Sequence, residues 1–151
     1  IIAVIYMDIK EFKAEVWGPK YWFFLHTVAY SYPKKPNATT KRKYYDLIMN
    51  IPLFIPEPEI GKEFSDLLEK YPVSPYMDNK SDFQKWMHFI HNKINKRLGK
   101  PQISLQQAYN DYAYQYRPEY SKLADYIRIS KHHIYLLLII ILIIVVYIYG
   151  V

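Results

Sequence analysis

Along the first 118 residues, apolar positions recur every three or four residues between proline-marked breaks, a spacing that predicts helices rather than strands. The first helix is expected over 17–33, opened by Pro19, closed before Pro33, with Trp22, Leu25, Ala29 and Tyr32 on one face. A second starts near Thr39 or Thr40, carries Tyr44, Leu47 and Ile48, and ends where Pro52 forbids continuation. The third follows the turn from Pro56 to Pro58. Its Ile60, Phe64, Leu67, Leu68 and Tyr71 fall at i, i+4, i+7, i+8 and i+11. Ser81 is a candidate N-cap for a fourth helix ending near Leu98, with Phe83, Trp86, Ile90 and Ile94 facing the core and Gly99 and Pro101 as stops. A short fifth follows Ser104, with Tyr109, Tyr112 and Tyr116 in one stripe, two of the three expected in the core. No useful strand-like alternation occurs. The expected fold class is all-α.

The final segment breaks the pattern. Residues 134–151, IYLLLIIILIIVVYIYGV, are eighteen without a charge, about 27 Å as a helix and close to the hydrocarbon thickness of a bilayer. A core helix would show a polar face and this one shows none, so a transmembrane tail anchor is expected. Arg128 and Lys131 precede it and nothing charged follows, which places the preceding domain on the cytoplasmic side. The expected organisation is an N-terminal extension (1–16), a helical domain (17–118), a linker (119–133) and the anchor (134–151). The opening IIAVIY is too short to span a membrane or to serve as a signal peptide. Asn37 in NAT matches a glycosylation sequence, unused if the domain is cytoplasmic.

Composition removes several chemistries. With no cysteine the chain has no disulfide, thiolate metal site or cysteine nucleophile. The net charge of +6 is spread over several segments, and the clustering expected of a nucleic-acid interface is missing. The chain has only four glycines and no phosphate-cradling loop. His88 and His91 have helical spacing but no carboxylate at a ligand-like interval, so no metal site is expected. Glu57 and Glu59, near a helix start, favour the helix dipole more simply than they form an acid/base pair.

Two segments combine polar and aromatic residues beyond what packing requires. One is WGPKYWFFLH, with Trp17, Gly18, Trp22 and His26; the other is HNKINKRLGK, with His91, Asn95 and Leu98 at i, i+4 and i+7 and Asn92 four residues after His88. Helix interiors tolerate two asparagines poorly, so specific partners are expected.

In this order and spacing, WGPKYWFFLH, PEPEI and HNKINKRLGKP resemble the Erv/ALR family of flavin-linked sulfhydryl oxidases, especially its short viral members, over roughly residues 17–117. The resemblance implies a four-helix bundle with a short fifth helix, homodimerisation, bound FAD, and conversion of dithiols to disulfides with electrons passed through FAD to oxygen. A thiol protein would be its substrate or redox partner, and the viral members make a virion membrane one candidate location. Carried over, Trp17, Gly18, Trp22 and His26 would line the cofactor from the first helix. His91, Asn92, Ile94, Asn95, Leu98 and Lys100 would approach it from the fourth, with Lys96, Arg97 and Lys100 offering charge to the pyrophosphate. The departure falls on the catalytic turn, where Glu57 and Ile60 stand in place of the two redox cysteines. Neither side chain undergoes thiol–disulfide exchange. The chain therefore reads as a membrane-anchored, FAD-binding family member impaired in the family reaction, or alternatively as a cofactor-free structural bundle on a membrane anchor.

Overall fold

A computed structural model describes residues 12–150; most of the expected N-terminal extension and the last residue of the expected anchor lie outside them. Among the described residues there are six α-helices and no strand: α1 (Ala14–Ser31), α2 (Ala38–Asn50), α3 (Pro58–Lys70), α4 (Lys80–Arg97), α5 (Leu105–Gln115) and α6 (Glu119–Tyr149). Single 3-10 turns at Ile51–Phe54 and Ser74–Tyr76 lead out of α2 and into α4. Two compact units result, the first ending at Tyr109 and the second beginning at Asn110.

In the first unit α1 packs along α4, while α3 lies against the Ile51–Phe54 turn. Leu25, Ala29, Tyr32, Ile48, Phe64, Leu67, Leu68, Phe83, Trp86, Ile90 and Ile94 form the core, the positions that helical periodicity selects. Val73 and Met77, in the irregular stretch between α3 and α4, complete it. Burying the Tyr32 ring leaves its hydroxyl needing a partner, and it donates to the Met77 carbonyl at 2.8 Å. Gly61 lies where α3 crosses the preceding turn: a Cβ there would stand 2.7 Å from the Pro52 carbonyl oxygen.

The helix ends differ from the sequence expectation. α1 starts at Ala14, which puts Pro19 inside the helix instead of near its first turn. The carbonyl that Pro19 cannot serve belongs to Glu15, an exposed residue. Asn37, expected in a loop, caps α2 by accepting from the Thr40 amide at 2.8 Å. Asn79, and not Ser81, caps α4, accepting from the Asp82 amide at 3.0 Å. At each position an asparagine with extended backbone precedes the helix and outcompetes the hydroxyl residues inside it. The tyrosine stripe of α5 is not core. Tyr109 and Tyr116 are 52 % and 61 % exposed, and only Ala108 of that helix is buried.

In the second unit the expected linker at 119–133 is itself helical, continuous with the apolar segment in the 31-residue α6. Arg117 and Arg128 both pair with Asp125, and Lys122 pairs with Glu119. The two i, i+3 pairs, Lys122 with Glu119 and Arg128 with Asp125, support the polar half of the helix. α6 is long and apolar enough to cross a membrane, and none of its apolar window is buried within the chain. It ends at Gly150, whose φ of +62° closes the helix in the left-handed region.

Candidate functional site

The candidate residues gather in two clusters on α1. The first is a run of rings. Trp22 and His26, one turn apart on α1, face His91 on α4, with the Trp22 and His91 rings stacked at 3.9 Å and 7°. His26 Nε2 and His91 Nδ1 are 2.9 Å apart, so one ring nitrogen donates and the other accepts. Burial holds both imidazoles neutral, lowering His26 to about 4 and His91 to about 3. The nearby His88 adds to both shifts, and the His26 ring and Lys100 ammonium add to that of His91. The run continues through Tyr30, stacked on His26, to Tyr109, edge-on to Tyr30 at 5.8 Å. Tyr30 extends the i, i+4, i+8 series begun by Trp22 and His26, a sequence signal that was available and unused.

The second cluster surrounds the turn before α3. Glu57 is the N-cap residue of α3 but makes no capping bond through its side chain. Its carboxylate instead accepts from the Trp17 indole N–H at 3.0 Å. One turn further along α1, the Tyr21 hydroxyl donates to the Phe54 carbonyl at 2.7 Å. The turn carrying Glu57, just before α3, is thus tied to α1 by two side-chain bonds from residues at i and i+4. Ile60 is partly buried in the first turn of α3.

The remaining expected residues divide by role. Asn92 is committed to the backbone: its amide donates to the Ile103 carbonyl at 2.9 Å and accepts from the Ile103 amide at 3.2 Å. It fastens the segment after α4 onto that helix. The same NH2 group lies 3.1 Å from His88 Nε2, which therefore accepts, and His88 Nδ1 is buried without a partner among the described residues. Burial lowers the His88 pKa, the Ile103 carbonyl opposing only part of that shift. Ile94 is a core residue. Arg97 is engaged by Glu63 of α3, 3.3 Å from its carbonyl and 3.6 Å from its carboxylate. Leu98 and Lys100 are exposed.

Gly99 explains how Lys100 comes close to His91. With φ at +65°, it closes α4 in a Schellman motif, in which Gly99 N bonds Lys96 O at 3.3 Å and Lys100 N bonds Asn95 O at 2.8 Å. The chain folds back, leaving Lys96 and Lys100 exposed beside the partly buried Asn95, whose side chain makes no hydrogen bond among the described residues.

Three features fit these residues to a flavin nucleotide. Trp22 and His91, already stacked, offer the outer faces of neutral rings to an aromatic system. The buried, unpartnered His88 Nδ1 and the uncommitted Asn95 amide are polar groups of the kind that ring edges satisfy. A methyl at Gly18, the third feature, would meet nothing within 4 Å. Glycine within a helix costs about 1 kcal/mol relative to alanine, and packing among the described residues supplies no reason for it.

The model of the Erv1 / Alr family matches residues 19–115, so the chain belongs to that family. It is 34 % identical over 96 residues to an FAD-linked sulfhydryl oxidase of African swine fever virus, covering 64 % of this chain and 79 % of the viral protein. It is 32 % identical over 89 residues to the mitochondrial FAD-linked sulfhydryl oxidase erv1 of Schizosaccharomyces pombe, covering 59 % of this chain and 49 % of that one. The chain thus spans about half the length of some curated relatives. The crystal structure of the FAD-binding domain of Erv1 from Saccharomyces cerevisiae superposes with a TM-score of 0.60 at 27 % identity, covering 64 % of this chain and 90 % of that one.

Proposed function

We propose that this chain is an FAD-binding member of the sulfhydryl oxidase family, anchored to a membrane by α6, in which the flavin pocket outlasts the dithiol. The observation that carries the reading is the asymmetry between the two clusters. The ring cluster of Trp22, His26 and His91 is intact and electrically neutral, while the turn holds a carboxylate bonded to an indole where the family chemistry needs thiols. When bound, FAD supplies a two-electron acceptor that oxygen can reoxidise. The chain supplies ring faces from Trp22 and His91, amide and imidazole groups from Asn95 and His88, and cations from Lys96 and Lys100. Through Glu57 and Ile60 it has no group that could pass electrons from a substrate thiol.

The reading is tested by purifying the full chain in detergent. Flavin absorbance is expected to co-purify, or to be retained after incubation with FAD, and to be lost in His91→Ala and Trp22→Ala variants that keep their helical content. A colourless, folded chain that fails to retain added FAD would favour the cofactor-free structural bundle. Arg128 and Lys131, on the N-terminal flank of the apolar half of α6, support a membrane anchor with the first unit on the cytoplasmic side. Protease added to sealed, cytoplasm-out vesicles should degrade that unit, and its protection, or a glycan on Asn37, would reverse the orientation. Homodimerisation is supported by the apolar surface that Phe24, Leu53 and Phe54 leave exposed; a monomeric mass by light scattering would exclude it.

A further inference from the structure

The first unit contains a second recess that the flavin reading does not use. It lies where the end of α3, the Ser74–Tyr76 turn and the first half of α4 meet, and has a volume of about 380 Å³, within the range of small-molecule sites. α4 contributes Lys85, Trp86 and Phe89 to its lining, and Lys93 follows Phe89 by one turn, on a stripe distinct from the one bearing His88, His91 and Asn95.

The recess is aromatic in its walls, with Lys70 and Lys85 in its lining and Lys93 set against two of its rings. Tyr71 and Phe89 meet edge-on at 5.0 Å and 84°, and Tyr76 and Trp86 close the lining. The Trp86 indole N–H is spent on the Tyr71 carbonyl at 3.0 Å, so Trp86 offers the recess only its ring. Lys93 Nζ sits 4.8 Å from the Phe89 ring centre and 5.4 Å from that of Tyr71. Lys70 Nζ is 5.7 Å from the Tyr71 ring. Among the described residues neither lysine is ion-paired. The third lysine, Lys85, is held by Asp82 at 3.4 Å in a largely exposed pair, worth little.

From this combination we infer that the recess binds a small planar aromatic anion, such as an aryl carboxylate. Its ring system would lie against Tyr71 and Phe89, and its anionic group would accept hydrogen bonds from Lys93 and Lys70. Lys70 and Lys93, each against a wall ring and neither ion-paired among the described residues, provide the charge complementarity. Pro72 and Pro75 stiffen the outer wall, so little ordering is needed on binding.

The test is a calorimetric titration of the full chain in zwitterionic nanodiscs with 2-naphthoate and with uncharged 2-naphthamide. Saturable binding of naphthoate, about tenfold or more tighter than naphthamide, is expected. Lys93→Glu should weaken naphthoate about tenfold, each tenfold being about 1.4 kcal/mol. Phe89→Ala should weaken both probes, and Lys62→Glu, an exposed charge reversal elsewhere, should change neither. Equal affinity for the two probes would reduce the recess to an unselective apolar slot and overturn the proposal. So would an equal loss in Lys62→Glu, or the absence of saturable naphthoate binding in a chain whose helical signal is intact.

Discussion

His26 and His91 are the residues in which burial, charge and geometry are most tightly joined. Their folded pKa values lie near 4 and 3, below the ordinary imidazole value, because burial penalises the cation. The unfolded chain therefore takes up protons below about pH 6.5 that the folded chain refuses. Stability contributed by the neutral pair is complete above that value and is lost as the pH falls towards 4. A first proton can be tolerated in the 2.9 Å contact, since one ring still accepts. A second would set two N–H groups against each other. Thermal melts between pH 7 and 4 should fall with pH, and His91→Asn should flatten the profile; an unchanged slope would show that these rings do not titrate as a buried pair. The ring residues were legible as sequence because they sit at helical spacing in recognisable motifs. The Glu57 partner was not, since the bond to Trp17 spans forty residues and no local pattern encodes it. Of the two asparagines expected to need specific partners, Asn92 has one in the backbone of Ile103, and the Asn95 side chain has none among the described residues.

Among the elements, α3 and the turn before it set the geometry on which a dithiol would depend. Gly61 must remain a glycine because the Pro52 carbonyl oxygen occupies the approach to its Cβ position. Gly61→Ala gains about 1 kcal/mol of helix propensity, yet overpacking typically costs about 1–3 kcal/mol, and the obstacle is backbone. A net loss of stability is expected in denaturant titration; a more stable variant would mean that α3 can slide along the turn. Positions 57 and 60 flank the first turn of this helix, so Glu57→Cys with Ile60→Cys should introduce a dithiol, with the thiol at 60 activated by the helix N-terminus. Oxygen consumption with a small dithiol is expected only in the FAD-loaded double variant. Single variants should stay inactive, and an inactive, FAD-loaded double variant would show that position 60 does not face the flavin. Helix count and core faces were readable from periodicity. The starts of α2 and α4 were misplaced by one or two residues, because Asn37 and Asn79 each precede a nearer-looking threonine or serine, and α1 begins three residues before the expected position. The α5 tyrosines were misread because an aromatic stripe does not disclose whether anything covers it.

For the molecule as a whole, the absence of cysteine and the apolar terminal run were the most legible features. The join between the polar and apolar halves of α6 was the least. Charged, aromatic and apolar residues in RISKHHIY read as a compositional border, and a border in composition need not be one in backbone hydrogen bonding, which runs unbroken from Glu119 to Tyr149. Mechanically, α6 is a shaft. At 1.5 Å per residue it is about 46 Å long, of which the charge-free part from residue 134 onward takes up about 24 Å. A further 22 Å or so projects as a stiff lever with no joint at the point where hydrophobicity ends. In the proposed membrane-anchored arrangement, any tilt imposed on the apolar half by bilayer thickness is delivered undamped at Glu119. Each residue inserted at the border would lift that end by about 1.5 Å and swing it through about 100°, so the height and bearing of the shaft's head are set by residue count.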